Sequence, residues 1–229
     1  MSMIDGIAGP AGGTVAPAGR IDALDIARGV ALLGMVAVHL AVDLELLGLA
    51  RPGLSQSGIW PDFARLVAGS FLFLAGVSLW LAHGAGIRWT SFGRRLVRLA
   101  AAAGAITAVT WVAMPDRFVH FGILHSIAVC TLLGLAFLRL PAAVTLVAAA
   151  AVLAAPAHLR DAAFDAPWFW WTGLSASPPP SIDYEPVLPW LAPCLAGIAL
   201  ARLTASAGLL SRVAPLRARR PGARALAWA

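Results

Sequence analysis

Apolar residues fill long stretches of the chain, and polar residues collect in the gaps between them. Six such stretches stand out: about Leu24 to Leu49, Phe63 to Leu81, Leu96 to Val112, Val119 to Leu138, Ala142 to Ala157 and Val187 to Leu203. Each approaches the ~20 apolar residues that a helix needs to cross ~30 Å of hydrocarbon. The fifth is short, and Pro156 interrupts it. Within a bilayer every backbone polar group must be satisfied internally, so these runs are helices and not lipid-exposed strands or loops. The pattern predicts an all-α, polytopic transmembrane helix bundle of about six spans.

Composition points the same way. Of the 229 residues, 60% are hydrophobic and 12% charged, against roughly 25% charged in a soluble domain. That excludes an ordinary soluble globular protein and a disordered chain. The two cysteines, Cys130 and Cys194, both lie in apolar runs, so they read as packed thiols, without a disulfide framework or a metal motif.

The net charge of +6 comes entirely from arginine, with no lysine in the chain. Their placement explains the basic balance without nucleic acid. With a cytoplasmic N-terminus, thirteen arginines fall in inside segments, and only Arg51, Arg65, Arg117 and Arg160 fall outside. Such an excess on one side sets membrane orientation. Six spans with both ends inside satisfy it, in a lipid bilayer that is best read as a bacterial inner membrane. Residues 1–20 are Gly/Ala/Pro-rich and read as a flexible cytoplasmic tail. Residues 21–204 form the transmembrane domain, and 205–229 a second, basic cytoplasmic tail.

Ionisable groups within spans are costly and mark function by default. In the first span, LDIARGVALLGMVAVHLAVDL, ~100° per residue places Arg28 at ~300° and His39 at ~320° from Asp25, with Asp43 back at ~0°. All four share one stripe, which has to face the bundle interior or a wet cavity. Arg28 and His39 are ~16 Å apart along the axis. Arg28 belongs near the inner surface and His39 in the outer half. Asp25 is spaced for an ion pair with Arg28, and Asp43 is one turn beyond His39. A carboxylate there can accept one imidazole proton and leave the other nitrogen as a base.

Three further groups qualify the picture. In RFVHFGILHSIAVC, His125 is deep enough to share a cavity with His39, whereas His120 reads as a solvated interfacial residue. No histidine or cysteine spacing supports a metal. In SIDYEPVLPWLAPCLAG, Asp183 is a candidate for holding an acceptor. Trp190 is another, though it equally fits an interfacial anchor. In IRWTSFGRRLVRLA, Arg94, Arg95 and Arg98 satisfy the inside charge bias, and the same cluster can hold phosphate through paired bonds. A helix starting at GRR would add backbone amides to such a site.

Four segments in order, RIDALDIARGVALLGMVAVHLAVDL, FLFLAGVSLWL, FGILHSIAV and DYEPVLPWLAPCLAGIAL, resemble the bacterial DUF1624 family. That family is related to the catalytic domain of heparan-α-glucosaminide N-acetyltransferase. The likeness covers roughly Arg20 to Leu203. The first span also resembles the R-x10-H pattern of the wider membrane acyltransferase superfamily, with Arg28 and His39 at those positions. The resemblance implies transfer of an acyl group, in the first place acetyl, from cytoplasmic acyl-CoA to a sugar or glycan acceptor on the outer side. It gives His39 the catalytic histidine's role and Arg28 a role with the donor. Such relatives generally continue into further spans, whereas this chain ends at ALAWA after its basic tail. A non-catalytic transporter-like or scaffold bundle is the alternative that the residues leave open.

Overall fold

A computed structural model of the chain describes residues 22–207. The two tails read from the sequence lie almost wholly outside this range. The described chain holds six α-helices: α1 Asp22–Leu46, α2 Trp60–His83, α3 Trp89–Ala113, α4 Ile123–Gly134, α5 Ala142–Leu159 and α6 Val187–Ser206. Five are long and apolar enough to cross a membrane, and α4 with its 3-10 extension, Ile123–Phe137, is shorter. The protein is an all-α integral membrane bundle, as the hydropathy pattern predicts.

Helices α2 and α6 are the centre. About 39% of the apolar stretch of α2 and 50% of that of α6 are buried, against 11% in α1 and 6% in α3. A Cβ on Gly76 would run into the Cys194 carbonyl, and one on Gly197 into the Phe73 carbonyl. Small residues at a crossing let backbones come this close, which is how helices pack when lipid offers no hydrophobic contrast. Around the crossing, Leu72, Leu79, Leu195, Ile198, Cys130 and Cys194 are fully buried. Both cysteines are free thiols. Helix α5 packs on α6, α4 fits between α2, α3 and α6, and α1 leans on α2. The large exposed side chains of α1, α3 and α5, such as Leu33, Val112 and Val147, form a surface for lipid.

Several element boundaries differ from the hydropathy reading, most of all at α3, which begins at Trp89 and not near Leu96. The fifth helix runs through Pro156 to Leu159. The fourth helix starts at Ile123 and not at Val119. The residues before it bond sideways instead of along a helix. Ile182 N donates to the Arg117 carbonyl and Glu185 N to that of Phe121, each at 3.0 Å. The Ser181 hydroxyl donates to the Phe118 carbonyl at 3.0 Å. These bonds zip the α3–α4 connection to the segment that enters α6.

Candidate functional site

The C-terminal ends of α1 and α3, the start of α4 and the segment before α6 enclose a cavity of about 270 Å³. His39 and Asp43 enter it from α1, Ile106 and Thr110 from α3, His125 from α4, and Asp183 from the zipped segment. The proposed stripe on α1 thus meets two more of the residues singled out from the sequence. His125 and Asp183 come from chain positions 58 residues apart.

His125 is locked. Its Nδ1 accepts the backbone N–H of Gly122 at 3.2 Å, so the neutral ring carries its proton on Nε2. Nε2 lies 3.3 Å from Thr107 Oγ1. That hydroxyl donates to the Val119 carbonyl at 2.7 Å and so receives the imidazole proton. Thr110 Oγ1 accepts the Val119 N–H at 3.0 Å. Two threonines of α3 therefore hold the backbone at Val119 by both its groups, and His125 helps to start α4. With both nitrogens occupied, His125 positions the site.

His39 is different. It is exposed to the cavity and makes no hydrogen bond among the described residues. Asp43, whose spacing suggested an imidazole partner, lines the same cavity without a hydrogen bond to it. A second carboxylate, Asp183, also faces His39. Asp183 Oδ2 accepts the Ile123 N–H at 2.9 Å, at the start of α4. Burial raises its carboxyl above the ordinary range, while that amide and the facing His39 and His125 oppose the rise. Two residues on, Glu185 is pushed up to about 8 by burial and then by the nearby Asp183 charge, with Trp190 and Arg65 acting against both.

His120, expected to be solvated, is enclosed. Its ring lies 5.0 Å from that of Tyr184, 5.3 Å from Trp170 and 6.1 Å from Phe118. Neither nitrogen has a hydrogen-bond partner; the Phe118 backbone faces the ring without bonding geometry. Burial lowers its pKa. The cover comes from the tryptophan-rich connection, a 3-10 turn at Pro167–Thr172, which the Tyr184 hydroxyl ties down by donating to the Trp170 carbonyl at 2.8 Å. Trp190 sits away from the cavity, against Gly69 of α2 and near Glu185. The structure gives it a packing role.

At the other end of the bundle Arg28 donates to Asp25 at 2.8 Å and to the hydroxyl of Ser78 on α2. Arg95 of α3 faces Arg28 with like charge and is itself flanked by Arg98. Among the described residues Arg95 has no carboxylate within ion-pair distance. Two facing guanidinium groups, one of them paired with Asp25, are suited to phosphate oxygens. Arg94 is exposed beside it, its carbonyl accepting Arg98 Nε at 3.3 Å. The expected helix start at GRR is not observed. Helix α3 begins at Trp89, so the amides of Gly93 to Arg95 lie a turn inside it, and side chains alone supply the donors.

Sequence reasoning missed Thr107, Thr110 and Ser78. The available signal was a pair of threonines three apart on an otherwise apolar helix face.

A family model described as heparan-alpha-glucosaminide N-acetyltransferase, catalytic, matches residues 20–229. No curated protein and no solved structure matches the chain.

Proposed function

The chain belongs to the heparan-alpha-glucosaminide N-acetyltransferase catalytic family, and from that membership we propose that it moves an acyl group, in the first place acetyl, from cytoplasmic acyl-CoA to a sugar acceptor on the outer side of a bacterial inner membrane. The single observation that supports this most is the placement of two chemically different sites at opposite ends of α1. Arg28 faces Arg95 at the inner end, and the unbonded His39 faces the carboxylate-lined cavity at the outer end.

Each site has one task. Arg28 and Arg95 hold donor phosphates, with Arg98 and Arg94 adding positive charge nearby. An extended pantetheine arm is about as long as the ~16 Å from Arg28 to His39, so the thioester reaches the outer cavity. There an acceptor hydroxyl or amine attacks the thioester carbonyl while His39 takes its proton. The new bond joins acceptor and acyl carbon. The carbon–sulfur bond breaks, and the leaving thiolate takes the proton from the imidazolium to give free CoA. Asp43 and Asp183 stabilise the transient imidazolium, since opposite charge nearby favours the charged ring. Asp183 also holds the start of α4 in place. General-base assistance of this kind contributes typically ~10²–10⁴-fold.

The test is binding and turnover by purified protein in nanodiscs. Acyl-CoA should bind, and sugar acceptors should drive release of free CoA. Binding without CoA release for any acceptor would favour a non-catalytic bundle of the same fold.

A further inference from the structure

His39 lies seven residues before the end of α1, ~10 Å below its outer terminus. The acceptor atom must come down to that depth. The cavity that receives it, at about 270 Å³, is smaller than the ~300–1,000 Å³ of sites that enclose a whole drug-sized ligand. It therefore admits one end of an acceptor, and the rest needs a way out.

The helices provide a way out at the side. Helix α1 packs on α2 and α3 packs on α4, and α1 and α3 make no extensive contact with each other. Both line the cavity nonetheless, through Val42 on one side and Ile106 on the other. His39 and Ile106 are exposed at this gap, and one turn from each on the same helix face the surface is apolar, with Val36 on α1 and Val109 on α3. On the far side the cavity is closed by the zipped connections at Val119–Ile123 and Ile182–Asp183. The cavity is thus polar at its head and apolar along its open flank. A free sugar entering by that flank would shed water against walls that return no hydrogen bonds, which is costly. An amphiphile would match both parts.

We infer that the acceptor is lipid-borne, a membrane amphiphile whose sugar headgroup enters the cavity at His39 while its hydrocarbon chain lies in the gap between α1 and α3. The inference takes the reaction from the acyl-transfer reading, but the route of entry stands on the cavity alone.

A dodecyl glucosaminide with a diazirine in its alkyl chain tests the route in phospholipid nanodiscs. It offers hydroxyls and an amine on the head and a chain for the gap. Photoadducts are expected on α1 and α3 beside Val42 and Ile106. Unlabelled dodecyl glucosaminide should reduce them at least tenfold, and the same concentration of methyl glucosaminide should not. Val109→Trp, on the exposed face of α3 and outside the cavity lining, should suppress them and leave acyl-CoA binding unchanged. Equal competition by the methyl glycoside, or adducts scattered over all lipid-facing helices, would overturn the inference. CoA release followed on the same samples separates the two readings. Specific adducts without CoA release would sink acyl transfer and leave the lipid-borne ligand standing. Equal turnover of methyl and dodecyl glycosides would do the reverse.

Discussion

Asp183 reaches the backbone N–H of Ile123 at 2.9 Å because Gly122 has no side chain in the way. A Cβ at position 122 would run into both the Asp183 carboxyl and Val119. One absent methyl group thus lets a carboxylate from the segment before α6 sit at the start of α4, beside His125 and facing His39.

Gly122→Ala should therefore act on chemistry through Asp183. Displacing a positioning group by about 1 Å costs on the order of 10²-fold in rate, and kcat should fall while acyl-CoA affinity stays. Asp183→Asn should reproduce the fall, because the amide still bonds Ile123 but no longer carries the charge that supports an imidazolium at His39. Steady-state CoA release with parallel donor-binding measurements checks both. An effect on donor affinity alone would remove Asp183 from the outer site.

This relationship also marks the limit of what the chain reveals unfolded. The stripe of Asp25, Arg28, His39 and Asp43 is legible because a single helix sets its own angular period. The apolar spans are legible because crossing a bilayer depends on length and composition, not contacts. The meeting of His125 with Asp183 is not, since it rests on hydrogen bonds between residues 117–121 and 181–185. Those same bonds explain why the apolar run from Val119 looked helical and is not until Ile123. His120 was misread for a related reason. Its cover, Trp170 and Tyr184, arrives from 50 and 64 residues further along the chain.

The outer cap should respond to pH in two opposite senses. Burial lowers the pKa of His120. Above about pH 6.5 the ring is neutral in open and closed states alike. Below that, the open state takes up a proton that the closed state resists, so closure weakens as pH falls. Glu185, at about 8 when enclosed and at about 4.3 when exposed, keeps its proton only in the closed state. Closure therefore weakens again as pH rises from about 4.3 toward 8. Hydrogen exchange of residues 117–122 and 181–185 between pH 5 and 8.5 reads both. His120→Phe should flatten the acid limb and, by removing two unpartnered nitrogens, stabilise the cap by about 1 kcal/mol. Glu185→Gln should flatten the alkaline limb. An unchanged exchange profile in both variants would dissociate these residues from the cap's stability.

At the inner end, Arg95→Ala should weaken acyl-CoA binding by at least tenfold, since a charge-assisted bond contributes about 1.5–3 kcal/mol. Arg28→Ala should weaken it comparably and also loosen α1 from Ser78 of α2. Dephospho-CoA thioesters should discriminate less between wild type and either variant. Isothermal titration in detergent measures the affinities. Donor affinity at wild-type level in both variants would place the donor elsewhere.

The most direct test of the account is turnover by His39→Ala. If His39 takes the acceptor's proton, the variant should insert, fold and bind acyl-CoA as wild type does, while acceptor-dependent CoA release falls ~10²–10⁴-fold. A His39→Ala protein that binds donor and releases CoA to the acceptor at the wild-type rate would contradict it.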